Sequence, residues 1–234
     1  MDLIWDGVRE AVQLLIGGDA AVYDAAMRSL WISSLAVLLA TVTALPCGIL
    51  LGRRRFRGRR AIVLLCRVGM SFPTVFVGLV CFALFSRRGP IGDLQLLYTP
   101  WVIVCGEFLL AFPIIASLSQ GAIRSLDPRV GETAWTLGAG LGRRLMTYVS
   151  EARVGIMLAI LTAFARCITE LGIAMMVGGN LSGRTRTLAT ATALETGQGN
   201  FGRGVAMSLI LLVVAAIVTL MIITLSREDE DTEW

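Results

Sequence analysis

Five stretches of the sequence stay apolar for about 20 residues each, the length an α-helix needs to cross the hydrocarbon core of a bilayer. They cover roughly residues 30–52, 61–85, 101–120, 154–177 and 205–225. No water pairs with the backbone inside a bilayer, so a spanning segment closes its own hydrogen bonds as a helix or joins a closed barrel. Runs of this length match helices, and the expected fold is an all-α membrane protein with about five transmembrane helices in one domain over residues 1–234. Composition agrees. Hydrophobic residues make up 56% and charged residues 16%, against about 25% charged in a soluble domain, which is too little polar surface to cover a globule in water. Pro46, Pro73 and Pro113 fall inside three of the stretches; bundled membrane helices tolerate this because neighbours satisfy the freed carbonyls. Trp31, Tyr98 and Trp101 stand at span ends, where amphipathic rings favour the interface.

Ahead of the first span, Ile4, Trp5, Val8, Val12, Leu15 and Ile16 recur at helical spacing, with Asp2, Asp6, Arg9, Glu10 and Gln13 on the other face. That pattern predicts a helix over about residues 3–16, lying at the membrane interface or simply packing on the bundle. Arginine counting sets the orientation. With the N-terminus outside, twelve arginines fall in cytoplasmic segments and seven in outer ones, and the dense run GRRRFRGRR between the first two spans decides the matter. The expectation is N-terminus out and C-terminus in, with the acidic tail REDEDTEW in the cytoplasm. The arginine run reads as a topogenic anchor, so no nucleic-acid partner is expected.

Missing residue types narrow the chemistry. All 21 basic residues are Arg, and His is absent. Without Lys there is no Walker A lysine and no Schiff-base amine; without His there is no Ser-His or Cys-His pair and no His metal ligand. No catalytic residue, metal or cofactor is expected on this chain. Cys47, Cys66, Cys81, Cys105 and Cys167 all lie in apolar stretches without a CxxC pair, the pattern of small buried hydrophobes.

The segment between the third and fourth spans, about residues 121–153, is too amphipathic for a linker. Asp127-Pro128 is a helix start, the aspartate capping and the proline at the first position. Val130, Ala134, Leu137, Leu141 and Leu145 then recur at three- and four-residue steps, while Gly138, Gly140 and Gly142 interrupt helical propensity. Two short helices joined by a turn are predicted. Glu132-Thr133-Ala134 followed by Gly138 resembles the EAA motif of ABC importer permeases, with Thr133 in place of the first alanine and no proline at Tyr148-Val149-Ser150-Glu151. The resemblance implies the type I importer permease fold, a cytoplasmic coupling helix, and docking of Glu132, Thr133, Ala134, Gly138, Gly140 and Gly142 on an ATPase subunit, where ATP and Mg would be bound.

Phe164-Ala165-Arg166 followed by Glu170-Leu171-Gly172 resembles a segment of oxyanion permeases, the molybdate, sulfate and tungstate group. Met175 to Asn180, Thr185-Arg186-Thr187-Leu188 and Ala193-Leu194-Glu195-Thr196 are similar to the tungstate branch in particular, as are Met70-Ser71-Phe72-Pro73, Val77-Gly78-Leu79 and Ser86 to Pro90. The resemblance spans nearly the whole chain. It implies a tungstate permease fed by a periplasmic or lipid-anchored solute-binding protein, with molybdate or sulfate as the alternative cargo; because five spans alone make a thin pathway, a homodimer is expected.

Charges at membrane depth are costly and turn inward. Arg166 and Glu170, four apart, would share one helix face, as a packing ion pair or as a lumen arginine held by its carboxylate. Glu107 and Arg67 also fall within spans, and a Glu107–Arg67 pair or a gating role for Glu107 is expected. Gly178, Gly179, Asn180, Arg184 and Arg186 would form the outer mouth, where basic charge with Arg203 concentrates an anion or docks the binding protein. An ion-coupled transporter would show inverted repeats, and the sequence has none; a membrane enzyme would find too few polar residues.

Overall fold

The computed structural model describes residues 2–227, and every regular element among them is helical. The helices are α1 (Asp2–Ile16), α2 (Ala20–Arg53), α3 (Arg59–Gly69), α4 (Thr74–Phe85), α5 (Pro100–Ser125), α6 (Pro128–Thr136), α7 (Leu141–Glu151), α8 (Arg153–Ile168), α9 (Gly172–Gly178), α10 (Leu188–Gly197) and α11 (Phe201–Arg227). The acidic tail expected in the cytoplasm lies, from residue 228 onward, outside the described residues.

Three helices are long and apolar enough to cross a membrane alone: Ala20–Arg53, Pro100–Ser125 and Phe201–Leu220 within α11. The other two expected spans are not single rods. Residues 61–85 divide into α3 and α4 at 70–73, and residues 154–177 divide into α8 and α9 at 169–171; each bent pair passes as a span only when its halves are taken together. Pro73 explains the first break. Its ring bars the preceding Phe72 from helical geometry, and Pro73 itself is extended, with φ −60° and ψ 126°, at the cap of α4. Pro46 and Pro113 instead sit inside the continuous helices α2 and α5. α2 begins at Ala20, well before residue 30, because the Asp19 carboxylate accepts from the N–H groups of Ala21 and Val22 at 2.9 and 3.2 Å. At 34 residues it is about 51 Å long, more than the hydrocarbon thickness.

The described residues form two compact units. One gathers Met1–Ala36, Pro73–Glu107 and Ala165–Trp234. In it α1 and α10 pack on α11 around a core that includes Ala11, Val22, Leu188, Ala206 and Ile210, and α4 packs on α9. Gly7 of α1 meets the Val205 side chain of α11, while Trp5, Val12 and Ile16 remain exposed on the other side. Trp31 and Trp101 meet edge to face at 5.9 Å and 68°. Gly106 lets α5 approach the Ile173 side chain of α9, the close contact that small residues permit between membrane helices.

The other unit comprises Val37–Phe72 and Phe108–Phe164. Gly48 and Gly52 bring the later part of α2 against Ser119, Gln120 and Ile123 of α5. Ile49, Ile123, Tyr148, Ala152 and Ile156 form its apolar core. That core holds the two short helices α6 and α7 in place.

Candidate functional site

The helix pair α6–α7 is built by local rules. Asp127 accepts the N–H of Arg129 at 2.8 Å with Pro128 at the first helical position, so α6 starts there. It stops where Leu137, Gly138 and Ala139 donate their N–H groups to the carbonyls of Thr133, Trp135 and Ala134. Gly138 closes this turn in the left-handed region, at φ 71°, a conformation only glycine adopts freely. Gly140 precedes α7 in an extended conformation, φ −64° and ψ 170°. Gly142 lies inside the first turn of α7 with open space where a side chain would go.

One side of the pair is anchored. Ala134 and Tyr148 are buried, Gly131 lies against the Tyr148 hydroxyl, and the Arg53 guanidinium stacks on the Tyr148 ring at 4.6 Å. Sequence periodicity did not single out Gly131 or Tyr148; the signal was a small residue one before Glu132 and an aromatic in the next amphipathic helix. The other side is open. Glu132 and Thr133 are exposed, and so are Trp135 at 69%, Leu137 at 80%, Leu141 at 67% and Met146 at 76%. The apolar repeat therefore does not act as one inward stripe: Ala134 faces the core, whereas Leu137 and Leu141 do not. Apolar side chains left in the open on one face suit contact with a protein partner or the membrane surface. A cavity of about 720 Å³ adjoins it, lined in part by Leu50, Arg53, Glu132, Trp135, Arg144 and Leu145. The buried Nε and Nη2 of Arg53 and Nε of Arg144 have no acceptor among the described residues.

The membrane-depth charges are arranged differently from the sequence expectation. α8 ends at Ile168, so Arg166 and Glu170 do not share a helix face. Arg166 is exposed on the last turn of α8, whereas Glu170 is buried beyond the break. There the Glu170 Oε1 accepts the N–H of Ile173 at 3.1 Å. Seven-residue α9 has free N–H groups at its start, and Glu170 satisfies one of them. The exchange Arg166→Glu with Glu170→Arg is accordingly expected to lower the melting temperature of the purified protein by several degrees, because the buried acceptor is lost and no pair exists to be reversed. A melting temperature at the unsubstituted level would establish the pair.

Glu107 and Arg67 belong to different compact units and have other neighbours. Glu107 is buried and accepts a hydrogen bond from Ser33, and its backbone oxygen accepts from the Cys167 thiol at 3.6 Å. Its Oε2 has no partner among the described residues. Arg67 is exposed on α3 and borders a cavity shared with other arginines.

The expected outer-mouth residues form a tight turn after α9. Gly178 ends that helix, Gly179 and Asn180 adopt positive φ of 68° and 50°, and the Thr185 hydroxyl donates to the Gly178 carbonyl at 2.6 Å. Arg186 is committed to this turn: its Nε donates to the Asn180 Oδ1 at 3.2 Å, and its own carbonyl accepts from Arg28 at 2.9 Å. Arg203 lies near Asp19 and Glu195 at 3.7 and 3.8 Å, while Arg184 is exposed. Of the three arginines expected to attract an anion, Arg203 thus lies beside carboxylates and Arg186 is tied to the neutral Asn180 side chain. Arg28 and Ser29, absent from the expected site, stitch α2 to this region; Ser29 accepts the N–H of Leu188 at 2.9 Å.

Comparison with known proteins accords with this arrangement. Residues 44–227 match the family described as binding-protein-dependent transport system inner membrane component. The chain is 34% identical to the tungstate uptake system permease protein TupB of Peptoclostridium acidaminophilum over 97% of its own length and 100% of the relative's. It is 35% identical to the protein of the same description from Campylobacter jejuni, over 92% and 90%. The molybdenum transport system permease protein ModB of Escherichia coli is 29% identical over 88% and 95%. Among solved structures, a chain of the MetNI methionine ABC transporter superposes with a TM-score of 0.68 at 16% identity, over 86% of this chain and 93% of that one. A chain of a bacterial ABC transporter that imports the acidic polysaccharide alginate does so with a TM-score of 0.66 at 16% identity, over 88% and 79%. The fold is that of type I ABC importer permeases, and with the family match covering most of the sequence, this multi-pass membrane protein belongs to the binding-protein-dependent transport system inner membrane components.

Proposed function

We propose that this chain is the membrane-spanning subunit of an ABC importer that moves tungstate into the cell. The observation that carries the cargo is similarity at 34% and 35% identity, nearly end to end, to two tungstate uptake permeases, against 29% to a molybdenum permease. The open face of α6–α7 supports the mechanism. In this reading Glu132, Thr133, Trp135 and Leu137 seat in an ATPase subunit, and the core of Ile49, Ile123 and Tyr148 passes its rigid-body movement to α2 and α5. A motion of that kind needs a stiff joint rather than a flexible loop. ATP and Mg belong to the partner, and the chain itself contributes no catalytic group.

Two copies pair about a two-fold axis, the common oligomer symmetry, and present two coupling pairs to two ATPase subunits. The N-terminus lies outside and the C-terminus in the cytoplasm, as the arginine distribution favours. A separate solute-binding protein delivers the dianion to the outer side, where high affinity resides; the permease path itself binds weakly enough to release cargo.

Elemental uptake tests the cargo. Cells lacking this gene, supplied with limiting oxyanion, are expected to lose tungsten accumulation while molybdenum and sulfur change little. Loss of molybdenum or sulfur instead would reassign the cargo, and unchanged uptake of all three would remove it.

A further inference from the structure

From the arrangement at the cytoplasmic-type arginine run, we infer that the unit containing α3 carries a binding site for the phosphate group of an anionic phospholipid. In the sequence alone, residues 53–60 are an orientation signal. The structure folds them into something more specific. Gly58, at φ 88°, turns the chain so that Arg55 and Phe56 come beside the first turn of α3, and the Arg59 N–H donates to the Phe56 carbonyl at 3.2 Å. Arg55, Arg59, Arg60 and Arg67 then border one cavity of about 680 Å³ together with Arg124, from the last turn of α5. No acidic residue lines it. Five guanidinium groups around one cavity repel one another, and an anion with several acceptor oxygens relieves that repulsion. Arg59 is held in place, its Nε donating to the Leu51 carbonyl at 2.6 Å.

The apolar share of the cavity selects the source of the phosphate. Phe56, Val63 and Leu64 line it alongside the arginines, and Ile62, Leu64, Leu65 and Val68 of the same helix are exposed. A free inorganic anion has no use for that surface. A phospholipid does: its headgroup meets the arginines while its acyl chains cover the leucines, as basic amphipathic segments beside a membrane span do. The amphipathic character of α3 also gives its separation from α4 a purpose, since a helix with Arg59, Arg60 and Arg67 on one side suits the interface better than the bilayer centre.

The test is native mass spectrometry of the full-length chain in mild detergent, titrated with phosphatidylglycerol or with phosphatidylcholine. Phosphatidylglycerol is expected to bind at least tenfold more tightly, about fivefold being lost for each arginine neutralised near an anionic headgroup. Arg60→Gln with Arg67→Gln, both at exposed positions, is expected to erase the preference, whereas Arg60→Lys with Arg67→Lys, and Arg87→Gln with Arg88→Gln, which do not line the cavity, keep it. Equal binding of the two lipids, or a preference that survives Arg60→Gln with Arg67→Gln, would overturn the inference. Displacement of phosphatidylglycerol by millimolar inorganic phosphate or tungstate would also overturn it, by making the site one for a free oxyanion.

Discussion

Gly138→Val is expected to strip the ATPase subunit from the purified permease and to bring tungsten uptake to background. Gly138 sits at φ 71° between α6 and α7. A β-branched residue there costs about 1–2 kcal/mol or more in backbone strain, and the turn escapes it by rotating toward negative φ. That rotation swings α7 relative to α6 and scatters the exposed face made by Glu132, Trp135, Leu137 and Leu141. Space is not the problem, because a side chain at Gly138 meets nothing within 4 Å; only the dihedral is. The neighbouring glycines supply the control. Gly142 is helical with open space around it, so Gly142→Ala should leave copurification intact and raise stability by up to about 1 kcal/mol through helix propensity. Gly140 is extended, a conformation other residues adopt. Copurification of the ATPase subunit with the Gly138→Val permease at the unsubstituted level would end the docking role of this turn.

Glu170→Leu is expected to lower the melting temperature of the detergent-solubilised permease by several degrees and to abolish uptake. The substitution leaves the Ile173 N–H, which Glu170 now satisfies at 3.1 Å, buried without an acceptor, at a cost of about 1–3 kcal/mol. It also frees the start of α9, whose Ile173 packs against Gly106. Glu170→Gln keeps an acceptor oxygen and should melt close to the unsubstituted protein. Arg166→Gln, at an exposed position, should change the melting temperature little. If Arg166→Gln and Glu170→Leu destabilised the protein equally, an ion pair would be the better description.

Much of the α6–α7 pair is legible in the sequence. Asp127-Pro128 announces a helix because capping and the proline φ are local properties, and the glycines announce a break because helix propensity is local too. Which glycine carries the turn was not legible. Gly138, Gly140 and Gly142 are chemically identical in the sequence, and their dihedrals separate only once α6 packs on Tyr148 of α7 and Tyr148 packs with Ile49 and Ile123. Likewise the spacing of Arg166 and Glu170 implies a shared face only while the helix continues, and nothing in their separation reveals the break at 169–171.

Five apolar stretches, the absence of Lys and His, and the Asp127-Pro128 and glycine signals decide that this chain lives in a membrane, has no lysine or histidine chemistry, and carries two short helices joined by a turn between its third and fourth apolar stretches. These are properties of solvent transfer and residue chemistry, which each segment carries alone. The break at Pro73 is local to that proline. Tertiary structure decides that the span over 154–177 is broken at 169–171, that Glu170 accepts the Ile173 N–H at the start of α9 instead of pairing with Arg166, that Arg186 and Arg203 are engaged within the fold, and that five arginines gather around one cavity. Each of these depends on which buried donor lacks an acceptor, or which charges meet, after distant segments have packed, and such pairings are fixed by three-dimensional contact rather than by distance along the chain.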